Sequence, residues 1–183
     1  GIMVNLNGER FCDDYTPNYT TMARLMMKQP EGKSFIIIDD QSMKSSKRLQ
    51  GFKDKGYFLQ ADTLAELAKK MGVPPKALEE TAKRYSEFVK NGKDLDFGRQ
   101  HNLTLDFSQP PYYAVKTQPG IQVTLGGIDV NNNMQVIKKD GGFFPNLYAA
   151  GEVTYDGSFR PGPTAVGLYQ GHIAAQNILR KSN

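Results

Sequence analysis

One stretch narrows the fold of this chain more than any other. LYAAGEV at residues 147–153 is followed by a loop rich in glycine and proline, then by RPGPTAVG at 160–167 and a helical pattern to residue 179. It reads as a short buried strand running into Gly151, a loop over 154–163 and a helix with small residues on one face, a unit of α/β type. Gly151 lets another group approach the backbone closely. Glu152 sets a carboxylate at the strand's carboxyl end, where ligands of α/β sheets sit and where sugar or ribityl hydroxyls can be bound. Pro161, Gly162 and Pro163 lead into a helix whose first free amides belong to Thr164, Ala165 and Val166. Those amides and the positive end of the helix dipole suit an anion, or negative charge developing on a ring. The same pattern also serves structural crossovers in which glycine is used for packing, and the residues alone leave both readings open.

Upstream, Val4 to Phe11 contains an Asn7-Gly8 pair between two extended pieces, a hairpin signal. Residues 20–28 form a short helix with Met22, Leu25 and Met26 on one face, and residues 34–39 a buried strand. Thr63 and Glu66 have capping-box spacing ahead of Leu64, Leu67, Ala68 and Met71, with Gly72 as the stop. Pro74-Pro75 opens a second helix over 76–89, ended by Asn91-Gly92. The polar loop 94–111 is a candidate boundary between two structural units. Beyond it, 112–116 and 121–125 are strand-like, Gly126-Gly127 permits a bend or a close approach, and 128–137 reads as a hairpin around Asn131-Asn132-Asn133.

Composition excludes several classes. A charge of +4 is spread along the chain with no basic stripe, which argues against nucleic acid. No apolar run approaches the ~20 residues of a membrane span, and no charged segment leading into an apolar one opens the chain. One cysteine, Cys12, excludes an internal disulfide and any multi-cysteine metal site, and two histidines leave little for a histidine site. Cys12 reads as a buried structural thiol, Asp13-Asp14 as a salt-bridge pair, and Met22, Met26, Met27 and Met43 as core fillers. His101 and His172 read as structural or solvated. No metal site is expected.

LYAAGEVT, with Thr124-Leu125-Gly126-Gly127 upstream and Arg160-Pro161-Gly162-Pro163 downstream, resembles the C-terminal end of the FAD-dependent fumarate reductase/3-ketosteroid dehydrogenase family. NGERFCDD at 7–14 resembles that family's GKRF-x-NE motif, and the matching segments keep the family order over nearly the whole chain. The resemblance implies a mixed α+β and α/β fold. Residues 1–121 would be a substrate-capping domain of the succinate dehydrogenase/fumarate reductase flavoprotein type, incomplete at its N-terminus. Residues 122–183 would be the last strands and helix of a Rossmann-like FAD domain. The G-x-G-x-x-G loop that cradles the FAD pyrophosphate is not in this sequence, so the chain is expected to be a C-terminal fragment that alone binds FAD poorly and is inactive.

Residue by residue, the resemblance implies that Gly151, Glu152, Val123, Thr164, Ala165 and Val166 contact FAD, and that Arg160 clamps a substrate carboxylate. The chain departs from the fumarate reductases in two places. Gln122 and Val123 stand where they have paired histidines, and Asn18 stands where they have the arginine proton donor. Asparagine is no general acid, whereas the phenol of Tyr19 can donate a proton. A dicarboxylate wants cations at both ends, so a monocarboxylate or enone substrate is expected before fumarate. The expected partners are that substrate, the missing N-terminal half of the FAD domain and an upstream electron-donor domain, with no nucleic acid and no membrane span. A genuine fumarate reductase is the alternative within the class. An inactive fragment docking on a separate flavin-binding chain is the alternative outside it. A bacterial cytoplasm or periplasm is the expected compartment, with no residue deciding between them.

Overall fold

Phe35-Ile36-Ile37-Ile38 is apolar on both faces of a strand, so it needs a neighbour on each edge and cover on each side. The computed structural model, which describes residues 1–16, 18–121, 124–154 and 163–181 (the side chains of Pro163 and Lys181 excepted), provides both. β1 (Ile2–Asn5), β2 (Ser34–Ile38), β3 (Leu59–Ala61) and β4 (Tyr112–Thr117) form one antiparallel sheet in the order β1-β2-β4-β3. Phe35 and Ile37 join Ile2, Val4, Ala61 and Ala114 in the main core. There α4 (Leu64–Met71) and α5 (Pro75–Asn91) bring Leu67, Ala68, Leu78, Ala82 and Tyr85. Ile36 and Ile38 serve smaller clusters with residues of α1 (Tyr19–Met27), α2 (Asp40–Lys44) and α3 (Lys47–Asp54), among them Met26, Met43 and Leu49.

The helices begin and end where their caps dictate. Thr63 Oγ1 accepts from the Glu66 amide at 3.1 Å, and left-handed Gly72 and Gly92 close α4 and α5. Asp39, the last residue of the expected strand, instead caps α2 by accepting from the Ser42 amide at 2.8 Å. The Asn7-Gly8 turn forms, with the Asn5 amide donating to the Glu9 carbonyl at 2.9 Å. Met27 is 61% exposed and fills no core, because the apolar stripe of α1 runs through Met22, Leu25 and Met26.

The loop 94–111 is not a boundary. It lies inside a first compact unit, Gly1–Gly120, where Asp94, Arg99, Leu105 and Phe107 are buried. Arg10 carries it inward: Nη2 donates to Asp14 Oδ2 at 2.7 Å and to Asp94 Oδ2 at 2.9 Å. Arg99 Nη1 stands 3.5 Å from Asp14 Oδ2 and donates to the Gly1 carbonyl at 2.9 Å. Both guanidinium groups lie over the Tyr85 ring, at 4.6 and 5.7 Å from its centre. Burial pushes the Asp14 carboxyl up despite these cations. For Asp94, burial also pushes upward, but the hydrogen bond from Arg10 and the amides of Asp96 and Phe97 outweigh it and hold the carboxyl low.

Ile121–Asn183 forms a second compact unit. β5 (Gln135–Ile137) pairs antiparallel with β6 (Phe143–Tyr148), and α6 (Pro163–Lys181) follows. The expected hairpin is seen as the Val130–Val136 bridge and a turn in which Asn131 Oδ1 accepts from the amides of Asn133 and Gln135. Two expectations fail. Ile121, Thr124 and Leu125 lie in no strand among the described residues, and Gln122 and Val123 fall outside them. The segment at 147–150 is not a buried strand: β6 ends at Tyr148, and Phe143, Phe144 and Leu147 are 44 to 51% exposed.

The buried charges generate a test. Asp94→Asn leaves Arg10 short of one carboxylate and should cost about 3 kcal/mol in urea unfolding at neutral pH. Asp94 ionises below the ordinary carboxylate range, so its contribution is present at neutral pH and fades as pH falls through its folded pKa; the gap between wild type and variant should narrow there. The Tyr85 hydroxyl is buried with no hydrogen-bond partner among the described residues. Tyr85→Phe should therefore leave the thermal midpoint unchanged or raise it, by the equivalent of up to about 1 kcal/mol.

Candidate functional site

Glu152 opens a single 3₁₀ turn, Glu152–Thr154, immediately after Gly151. Its Oε1 accepts from the Thr124 amide at 2.9 Å and from the Thr124 hydroxyl at 3.0 Å. These two donors, the amide first, hold the carboxyl below the usual glutamate value, so it is an anion at neutral pH. The side chain is exposed, and its second oxygen has no partner among the described residues. A fixed, half-satisfied carboxylate is an acceptor poised for hydroxyl donors.

The backbone around Glu152 is drawn tight by glycine. Gly127 has φ +145°, and a Cβ there would stand 2.1 Å from the Val153 carbonyl oxygen, which already accepts from the Ile128 amide at 2.8 Å. Gly167 of α6 packs on Gly151 so closely that a Cβ on Gly167 would lie 3.1 Å from the Gly151 Cα. Gln170, one helical turn on, accepts through Oε1 from the Gly151 amide at 2.9 Å and the Thr154 hydroxyl at 2.7 Å. Three segments, 124–128, 151–154 and α6, are thus joined around one carboxylate.

Of the sequence-derived candidates, Gly151, Glu152, Thr164, Ala165 and Val166 belong to this assembly. At the start of α6, Thr164 is exposed, Ala165 half-buried and Val166 buried. Asn18 and Tyr19 belong to the first unit. Asn18 caps α1, its Oδ1 accepting from the Thr21 amide at 3.0 Å, and Tyr19 is 81% exposed. Arg160, Gln122 and Val123, with Pro161 and Gly162, lie outside the described residues. Sequence reasoning missed Thr124 as the group that orients Glu152, and Gln170 as the clasp. Gln170 was detectable as the polar residue three positions after Gly167 on the small-residue face.

Other candidates resolve as structural. Cys12 is buried, with its sulfur 3.8 Å from the Met22 sulfur, and burial pushes its thiol up to about 12. Asp14 takes the expected salt bridge. His172 lies 3.0 Å from the Gln176 amide nitrogen, and the His101 ring lies 5.9 Å from that of Tyr15, tilted by 57°. Among the described residues no group of three His, Cys, Asp or Glu could hold a metal, and no helix is long and apolar enough to cross a membrane.

Residues 1–165 match the family described as FAD binding domain. The chain is 36% identical over 183 residues to a probable fumarate reductase of Shewanella frigidimarina, covering 98% of this chain and 31% of that protein. It is 30% identical to 3-oxosteroid 1-dehydrogenase of Mycobacterium tuberculosis, covering 97% of this chain and 38% of that one. The open conformation of a flavocytochrome c3 fumarate reductase superposes with a TM-score of 0.87 at 34% identity, over 96% of this chain and 32% of that one. The chain therefore spans about a third of the length of these relatives.

Gly127→Ala should lower the thermal midpoint of the second unit strongly, by the equivalent of about 3 kcal/mol, since a left-handed backbone and a backbone oxygen both oppose the new Cβ. Thr124→Val removes one of the two donors without crowding. Its expected effect is a rise of the Glu152 pKa toward the ordinary value, read by carboxyl-detected NMR titration.

Proposed function

The chain belongs to the FAD binding domain family, and on that premise we propose that it is part of an oxidoreductase moving hydride between flavin and a C=C bond activated by a neighbouring carboxylate or carbonyl. FAD is the cofactor of this family, and the fold is the mixed α/β fold of the fumarate reductase flavoproteins. The residues of the second unit fit FAD by their donor chemistry: an exposed, pre-oriented carboxylate for sugar hydroxyls beside backbone drawn close by glycine, and a helix start that offers amides. The Thr124-held Glu152 carboxylate is the observation that carries the reading.

When bound, flavin supplies or accepts the hydride at N5. In this reading Glu152 accepts hydrogen bonds from the ribityl hydroxyls, while Val123 and Gly151 line the flavin. The first amides of α6, at Thr164, Ala165 and Val166, stabilise negative charge on the pyrimidine edge. Arg160 orients the substrate's carboxylate or carbonyl oxygen, Gln122 contributes a neutral donor, and Tyr19 delivers the proton to the second carbon. Asn18 cannot give a proton, and its amide oxygen is already held by the Thr21 amide. With neutral groups at 18 and 122, a monocarboxylate or an enone suits the residues better than a dicarboxylate. The name of the Shewanella relative keeps fumarate as the alternative.

We assign residues 1–121 to a substrate-capping domain and 122–183 to the C-terminal part of an FAD domain whose phosphate-binding unit lies elsewhere. Two facts support this: the division after Gly120 and the uncovered apolar side chains of β6. The same uncovered strand favours a second reading, an inactive fragment that docks on a separate flavin-binding chain. Co-purification with the N-terminal half expressed separately, without turnover of any alkene, would select that reading.

The deciding experiment reduces the flavin of the complete protein anaerobically and adds fumarate, an aryl acrylate or a bulky enone. Reoxidation by an acrylate or enone and silence with fumarate is the expected result, and rapid reoxidation by fumarate would overturn the substrate assignment. Arg160→Ala should retain flavin and lose about 10- to 100-fold in kcat/KM.

A further inference from the structure

The second face of the first unit's sheet is only partly covered. Between the sheet and α3 lies an open cavity of about 530 Å³, inside the range of roughly 300–1,000 Å³ typical of small-molecule sites. Its floor is Ile36, Ile38 and Val115, and its walls are Phe52, Tyr57 and Phe58. Among the described residues, none of those assigned to flavin or substrate lines it. Tyr57 is 59% exposed at the mouth, its ring 5.9 Å from that of Phe52.

The rim is cationic. Residues 40–55 carry Lys44, Lys47, Arg48, Lys53 and Lys55 against Asp40 and Asp54. Lys44 is taken by Asp40 at 2.5 Å, and the Lys53 ammonium donates to the Tyr113 hydroxyl at 3.3 Å. Lys47, Arg48 and Lys55 have no carboxylate partner among the described residues, Lys116 itself lines the cavity, and the Arg48 guanidinium lies 5.4 Å from the centre of the Phe52 ring that forms its wall. An aromatic wall that carries an uncompensated guanidinium pairs apolar surface with a fork suited to a carboxylate.

We propose that this cavity is a second ligand site, separate from the flavin-facing residues, which takes a small molecule with an apolar body and one carboxylate. The body packs on Ile36, Ile38 and Val115 between the Phe52 and Phe58 rings, and Arg48 holds the carboxylate. The volume favours a small ligand over a protein segment, and the charge of the rim selects an acid over a neutral lipid.

Decanoate is the probe, titrated into the full chain by calorimetry and by NMR of the isoleucine methyl groups, with decanol as the uncharged control. The expected result is saturable binding at one site, shifts at Ile36 and Ile38, and weaker binding of decanol. Arg48→Gln, an exposed change that keeps the fold, should weaken decanoate about 10-fold, and Phe52→Ala should weaken decanoate and decanol alike. No saturable binding at millimolar decanoate overturns the proposal, as does affinity unchanged in Arg48→Gln. Shifts at these methyls only with an acidic amphipathic peptide would also overturn it, and would make the groove a protein-docking surface.

Discussion

Arg10, Asp14, Asp94 and Arg99 share one buried site, and the first unit closes around it. Taking four charges out of water is costly, and it is offset only because nearly every polar atom finds a partner: carboxylates, the carbonyls of Gly1, His101 and Asn102, and the Tyr85 face. Packed apolar residues of equal volume could hold the same space at least as well, so the cluster's distinctive contribution is directional. Asp14 also accepts from the Met3 amide, which fixes the path from the first hairpin toward α1. The entry to α1, where Asn18 and Tyr19 stand, is therefore aligned by buried charges.

Local chemistry was legible and distant chemistry was not. Thr63, Gly72, Pro75 and Gly92 mark helix ends through their own backbone, so α4 and α5 could be read almost to the residue. Lys47–Asp54 could not: KRLQGFKD shows no apolar stripe, and α3 stands on its Ser46 cap and on Leu49. Arg10 and Asp94 lie 84 residues apart, beyond the reach of any spacing rule, which is why 94–111 looked like a linker. In the site, Glu152 and the start of α6 were visible as a motif. Thr124 was not, because a threonine announces no role until the fold brings it to a carboxylate, and Gln170 showed only as a polar residue at helical spacing from Gly167.

The two units solve burial differently. The first encloses its sheet between helices on one face and partial cover on the other, leaving an open apolar hollow. The second sets its geometry through backbone contact, Gly127 on Val153 and Gly151 on Gly167, while leaving large apolar side chains in water. Contacts made by backbone alone leave neighbouring side chains free to change while the Glu152 carboxylate keeps its place.

The central pairing of the first sheet joins β2 to β4, with Ser34 against Thr117, 83 residues further along. On a ribosome adding ~5–20 residues per second, β2 emerges several seconds before its partner exists. During that interval SFIII is a bare apolar strand with one edge open, the kind of segment that chaperones hold and aggregates recruit. The early Asn7-Gly8 hairpin and the pairing of β1 with β2 cover the other edge at once. Nascent-chain survival is thus built into the order of the elements, and changes that weaken β1 would appear first as lost yield rather than as a slower enzyme.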